Sequence, residues 1–277
     1  MKTINDEIMI KFKMHLYEEE KSINTIEKYM RDIRFFREWL NGKSIDKSVV
    51  LDYKKILCEK YAPKSVNSVL SSLNALFVFM NRHELKVKTL KIQRQIFADK
   101  ERELTKNEYK RLLNTAKSNK RLCLLMQTIC SCGIRISELK FITVEAVKKG
   151  RADITCKNKR RTVFLPKQLC RMLIKYIAKN KIITGSVFVS RNGNPLDRSN
   201  VWSDMKKLCE RAGVKKGKVF PHNLRHLFAR TYYSLQKDIV RLADLLGHSN
   251  INTTRIYTVE SGDVHRNQIQ LLGLLCS

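Results

Sequence analysis

Three short runs near the C-terminal end hold side chains suited to chemistry on a phosphodiester: HNLRH at 222–226, LLGHSN at 245–250 and TTRIYT at 253–258. Tyr257, nine positions after His248, offers a hydroxyl that could attack phosphorus. A phenol with its ordinary pKa near 10 is a weak nucleophile, so such an attack needs positive groups around the phosphate. His222 and Arg225 are three apart and share one face of a helix opened by Pro221, whose first-turn N–H groups also favour anions. The planar guanidinium of Arg225 can grip two non-bridging oxygens together, which an ammonium cannot. His222 and His226, at i and i+4, would also suit a zinc pair, but Asn223 stands where such a pair has its glutamate, and no metal is expected.

Two further segments add cations. Arg135 in GIRISEL follows a glycine break, and Glu138, three residues on, is spaced to orient it through an ion pair. In ITCKNKRRTVFLP, Lys157 is a candidate general acid toward a leaving oxygen. Lys159, Arg160 and Arg161 beside it read as a phosphate-tracking, DNA-binding patch. Each residue has a plainer reading alone: a tyrosine packs, an arginine is solvated, hairpin cations are generic. Their order and spacing make the set informative.

These residues need a frame, and the apolar periodicity supplies one. Ile8, Phe12 and Leu16 fall on one helical face, as do Ile26, Tyr29, Ile33, Phe36 and Leu40 in a second segment, where Asn24 and Glu27 have capping-box spacing. Third and fourth helices carry Val49, Tyr53, Ile56 and Leu57, then Val66, Val69, Leu73, Leu76 and Met80. Residues 86–103 are polar, basic and weakly periodic, and read as connecting chain. Thr105 and Glu108 form another capping box, opening a helix that precedes the buried run RLCLLMQTICSC. After Gly150, ADITC and TVFLP flank the basic KNKRR as a β-hairpin, and helices follow at 199–212, 223–235, 238–246 and 252–260. The fold class is mainly α with a small antiparallel β-sheet, in two domains: 1–97, a linker at 98–103, and 104–277.

Bulk composition points the same way. The 277 residues carry 55 Lys+Arg against 26 Asp+Glu, a net charge of +29, which favours a polyanionic partner. Residues 1–100 hold 20 basic and 13 acidic side chains and the remainder 35 and 13, so the second half is the stronger phosphate binder. No apolar run is long enough to span a bilayer and the N-terminus lacks signal-peptide character, so a cytoplasmic protein with no membrane partner is expected. The eight cysteines form no CxxC pair and are expected to be free thiols.

Together Arg135, Lys157, HNLRH, LLGHSN and TTRIYT resemble the tyrosine recombinase family of phage-type integrases and Xer-type recombinases. The resemblance spans nearly the whole chain: SINTIEKYMRDIRFFREWL and KSVNSVLSSLNALFVFM look like the family's helical core-binding domain, and residues 104–277 like its α+β catalytic domain. It implies that Tyr257 attacks a DNA phosphodiester to give a 3′-phosphotyrosine and a free 5′-hydroxyl. Arg135, Arg225 and His248 would hold the phosphate, His222 would accept or support the tyrosine's proton, and Lys157 would protonate the leaving oxygen. It further implies double-stranded DNA recombination sites as substrate, a homotetramer in the synaptic complex, no cofactor and room for a directionality factor. The tail NQIQLLGLL is similar to the helix that docks on a neighbouring subunit, and folding back on its own domain is the other reading. The hairpin departs from the family by lacking the glycine after the lysine, which leaves Lys157 and Lys159 as rival general acids.

Three functions compete at this point. The first is site-specific recombination for integration or excision of a mobile element, with Xer-type chromosome or plasmid dimer resolution as its alternative. The second is type IB topoisomerase-like strand passage, against which His248 and the helical first domain argue. The third is a catalytically inactive DNA-binding module, against which the complete set of six residues argues.

Overall fold

A computed structural model describes residues 3–92, 101–156, 159–190, 192–257 and 270–272. The chain divides into two compact units, Met1–Arg94 and Gln95–Ser277. Among the described residues no helix is long and apolar enough to cross a membrane.

The first unit is built on four helices, α1 (Asp6–Glu18), α2 (Ile23–Leu40), α3 (Lys47–Lys60) and α4 (Pro63–Phe79). Their i, i+3/i+4 apolar stripes meet in one core around Phe12, Phe36, Leu73 and Phe77, each with no exposed surface. Asn5 and Asp46 cap α1 and α3 by accepting the N–H groups of Ile8 and Val49. The expected box at Asn24 does not form, because α2 begins earlier with Ser22 as its cap residue, whose hydroxyl meets that of Thr25 at 2.8 Å.

The start of the connecting segment belongs to this unit. Asn74 exchanges two hydrogen bonds with the backbone of Val87 (3.0 and 2.9 Å), and Asn67 does the same with Leu90 (2.7 and 2.9 Å). The two asparagines stand seven apart on α4, two turns on one face, and so hold an extended strand of chain along the helix. Lys54 reinforces the seam by donating to the carbonyl of Lys88 at 2.7 Å.

The second unit contains α5 (Lys106–Thr115), α6 (Lys120–Cys132), α7 (Val144–Lys149), β1 (Arg151–Cys156), β2 (Lys159–Phe164), α8 (Lys167–Lys179), α9 (Arg198–Lys207), α10 (Cys209–Ala212), α11 (Pro221–Gln236), α12 (Ile239–Leu246) and α13 (Ile251–Thr254). Short 3-10 turns follow at Ile136–Phe141 and Arg255–Tyr257. The capping box at Thr105 and Glu108 forms in full. The apolar helix α6 packs along α11 in a core that includes Leu125, Ile129, Leu224 and Leu227. The strands pair antiparallel, with Ile154 opposite Arg161 and Cys156 opposite Lys159. The fold class is thus the expected one, mainly helical with a two-stranded sheet.

Gly133 ends α6 at φ +63°, a conformation that disfavours any side chain. A Cβ there would lie 2.4 Å from the ring of Phe228 on α11, so glycine also permits the α6–α11 approach.

The asparagine seam is testable. Asn67→Ala with Asn74→Ala leaves backbone groups of Val87 and Leu90 without these partners. Urea unfolding of the first unit is expected to lose about 1–3 kcal/mol, and limited proteolysis to gain a cut within residues 86–92; an unchanged midpoint and cleavage pattern would contradict the seam.

Candidate active site

The site is assembled from four chain segments of the second unit. Arg225, on the second turn of α11, is fully buried. Its guanidinium donates to the carbonyl of Gly133 (2.6 Å) and to that of Leu246 (2.7 Å). Both carbonyls lie at helix C-termini, of α6 and α12, where backbone oxygens lack helical partners and the helix dipole is negative. The charge is therefore held where two helices end. Burial, aided by the nearby Arg135, lowers the Arg225 pKa to about 10, so it stays cationic at neutral pH. Its Nε has no hydrogen-bond partner among the described residues.

Glu138 is the hub. Its carboxylate is 2 % exposed and accepts from Arg135 twice, from the backbone N–H at 2.7 Å and from Nη1 at 2.9 Å. It also accepts from Arg161 Nη2 at 2.6 Å and lies 4.0 Å from Arg225 Nη1. Arg135 is the cap of the 3-10 turn Ile136–Phe141, which brings Glu138 back onto it.

His248 follows the α12 terminus at Gly247. Its Nε2 is 3.0 Å from Arg225 Nη2, and its Nδ1 is 2.9 Å from the hydroxyl of buried Thr254. A guanidinium can only donate, so Nε2 accepts and the ring proton sits on Nδ1, donating to Thr254. The imidazole is neutral. Burial and the charges of Arg225 and Arg135 push its pKa down to about 4. His226 is driven to about 3, mainly by burial, and His222 is lowered by burial and then by Arg225 and Arg135.

Tyr257 is 3 % exposed and packs with Ala229, Leu242 and Leu246. The His226 ring meets it edge-on at 4.7 Å, and the His248 ring lies nearly parallel at 6.0 Å. His222 in turn meets His226 at 4.6 Å.

The structure thus brings Arg135, His222, Arg225, His248 and Tyr257 into one place. Lys157 lies outside the described residues; Lys159 is placed only by its pairing with Cys156 on the hairpin. Arg160 is exposed, whereas Arg161 is turned inward onto Glu138 with 13 % of its side chain exposed, against the expectation of a solvent-facing phosphate tracker. Sequence reasoning also passed over His226 except as a weak zinc candidate, and missed Thr254. The signal for Arg161 was the strand alternation that turns Ala152 and Ile154 inward. Among the described residues no three His, Cys, Asp or Glu side chains are grouped to hold a metal ion.

Both units match known proteins. The phage integrase family model matches residues 102–262, and the model for the SAM-like N-terminal domain of phage integrases matches residues 9–84. Tyrosine recombinase XerA of Thermococcus kodakarensis is 31% identical over 91% of this chain and 90% of its own length. A lambda integrase dimer bound to a COC′ core site has the same fold, with TM-score 0.74 at 17% identity over 93% of this chain and 96% of that one. A lambda integrase tetramer bound to a Holliday junction gives TM-score 0.73 at 18% identity, over 91% and 76%.

The neutral imidazoles have a pH consequence. With folded pKa values depressed below the usual 6.5, the unfolded chain binds protons first as pH falls, so these groups cost stability progressively from about pH 6.5 down toward 4 and none above it. Thermal unfolding between pH 4 and 8 is expected to show that loss, and His248→Asn to flatten part of it; a His248→Asn profile parallel to that of the parent would contradict the assignment. The arginine cup, the neutral histidines and the packed tyrosine, together with matches along both units, lead to one conclusion: the chain belongs to the phage integrase family and is a tyrosine recombinase, an enzyme that cleaves and rejoins DNA.

Proposed function

We propose that Tyr257 is the nucleophile of a site-specific recombinase acting on duplex DNA. The observation that carries this reading is the stacking of Tyr257 beside His248 while His248 is itself bonded to Arg225. That contact sets the phenol beside the groups that would hold the phosphate. In the reaction, Tyr257 Oη bonds to phosphorus, the bond to the 5′ oxygen breaks, and the tyrosine's proton passes to a base, for which His222 is the candidate. The leaving oxygen takes a proton from a hairpin lysine, Lys157 or Lys159. The 3′-phosphotyrosine keeps the phosphoester energy, so rejoining by a 5′-hydroxyl needs no nucleotide or other cofactor.

Arg135 and Arg225 hold the non-bridging oxygens and stabilise the charge developing on them. Neutral His248 now accepts from Arg225. To donate to the phosphate from Nε2, it must give up that bond and take the other tautomer, with Nδ1 then accepting from the Thr254 hydroxyl; the phosphate oxygen is the natural replacement acceptor for Arg225. Tyr257 likewise has to leave its packing among Ala229, Leu242 and Leu246 to reach DNA. Such rearrangement on substrate binding fits an enzyme that should not hydrolyse phosphates when idle. Arg160 and Lys159 on the hairpin serve as DNA-backbone contacts. The domain boundary is read at 98–103.

Two biological roles remain in competition. Integration or excision of a mobile element is one, and the motifs fit it as they fit dimer resolution. Similarity to XerA along most of both chains favours resolution of chromosome or plasmid dimers in the cytoplasm. In either role a homotetramer is the expected synaptic form, supported by the fold shared with the tetrameric lambda integrase complex. The C-terminal tail docking on a neighbouring subunit, and a directionality factor, belong to the same reading.

A nicked duplex carrying the cognate site tests the nucleophile. The parent enzyme is expected to form a covalent protein–DNA adduct and Tyr257→Phe to form none while binding the same DNA; an adduct with the Phe variant would remove Tyr257 from its role.

A further inference from the structure

Arg161 was grouped by sequence with the cations that track DNA, yet its guanidinium is committed inside the protein at both ends. Nη2 donates to Glu138 at 2.6 Å and Nη1 to the carbonyl of Leu245 at 3.2 Å. It rises from β2 opposite Ile154, on the face where Ile154 is buried, two residues beyond Lys159 on the same strand. Its side chain also lies across Gly247, where an added Cβ would stand 2.7 Å from Nη1 and 2.8 Å from Cδ. Gly247 has φ +66° and immediately precedes His248, so the arginine passes over the one residue of that turn with no side chain.

One side chain thus joins three parts of the site: the lysine-bearing strand, the Arg135–Glu138 turn, and the α12 terminus that presents His248 and the Leu246 carbonyl to Arg225. A two-stranded hairpin is marginal by itself and needs such an anchor to keep a fixed position. Proton donation requires the donor within hydrogen-bond reach of the leaving oxygen, so a small displacement of the hairpin would disable it. Lysine in place of Arg161 could not span both acceptors with its single ammonium.

We propose that Arg161 is a positioning residue for the general acid: it fixes the hairpin against Glu138 and the Gly247 turn, and so sets where the hairpin lysine meets the leaving 5′ oxygen. The proposal rests on the reading of Lys157 or Lys159 as proton donor. It assigns Arg161 no contact with the phosphate.

Substitution of the leaving atom separates these roles. In a nicked duplex with sulfur in place of the bridging 5′ oxygen, attack by Tyr257 forms the same Oη–P bond and breaks P–S. The thiolate leaves without a proton, since thiols ionise near 8.5. Single-turnover cleavage of the oxygen substrate by Arg161→Ala is expected to fall at least ~100-fold. With the sulfur substrate the variant is expected to come within about ten-fold of the parent, as a lost proton donor would allow. Gly247→Ala, which pushes Arg161 aside without removing its charge, should show the same rescue, and it keeps the test open if Arg161→Ala folds poorly. Arg161→Lys should not restore the oxygen reaction.

Lys157→Ala and Lys159→Ala run in parallel. If one lysine variant is rescued by sulfur and the Arg161 and Gly247 variants are not, the positioning role is overturned and the lysine reading stands. If neither lysine variant is rescued, the lysine reading itself is overturned and the proposal with it.

Discussion

A single buried carboxylate sets the geometry of this site. Glu138 accepts from Arg135 and Arg161 and lies beside Arg225, so one negative charge stands among three positive ones. That imbalance would be costly in an apolar interior. It is moderated by backbone: the carbonyls of Gly133, Leu245 and Leu246, all at or near helix C-termini, accept from the guanidiniums of Arg225 and Arg161. The result is a pocket of fixed dipoles and cations with an excess of positive charge. An arriving phosphate meets arginines already fixed by the fold, and the rearrangement is confined to the His248–Arg225 bond and to Tyr257.

The histidines follow from that cup. Burial, reinforced by Arg225, Arg135 and Arg161 at His248 and by His222, Arg230 and Arg225 at His226, leaves no room for further positive charge, so both imidazoles are neutral over the physiological range. His248 can then act as an acceptor for Arg225 in the free protein, with its ring proton on Nδ1 and donated to the Thr254 hydroxyl. The positive charge of the site resides in arginine, which does not titrate near neutrality, and the imidazoles are left to exchange hydrogen bonds. A tyrosine packed edge-on to His226 and parallel to His248 completes a resting state in which the reactive groups are adjacent but mutually occupied.

Local patterns in the sequence carry much of this. The first-unit helices, the box at Thr105, the hairpin and the grouping of His222, Arg225, His248 and Tyr257 are legible because each depends on spacing within one element or on a short connection. Long-range choices were hidden. That Asn67 and Asn74 would hold residues 87 and 90 depends on a contact between a helix and a chain returning along it. The inward turn of Arg161 depends on hairpin register, and it shows only through the alternation of the partner strand at Ala152 and Ile154, not through the basic run itself. The cap of α2 lies at Ser22, two residues before Asn24, because the capping-box spacing of Asn24 and Glu27 begins inside the first turn of the helix.

If Glu138 is the anchor, Glu138 and Arg161 must be energetically coupled. A double-mutant cycle in urea unfolding, using Glu138→Ala, Arg161→Ala and the pair, measures this directly. The double variant is expected to fall short of the summed single losses by about 1 kcal/mol or more, as for groups sharing one ion-pair network. Losses that add within about 0.3–0.5 kcal/mol would contradict a site organised by that carboxylate.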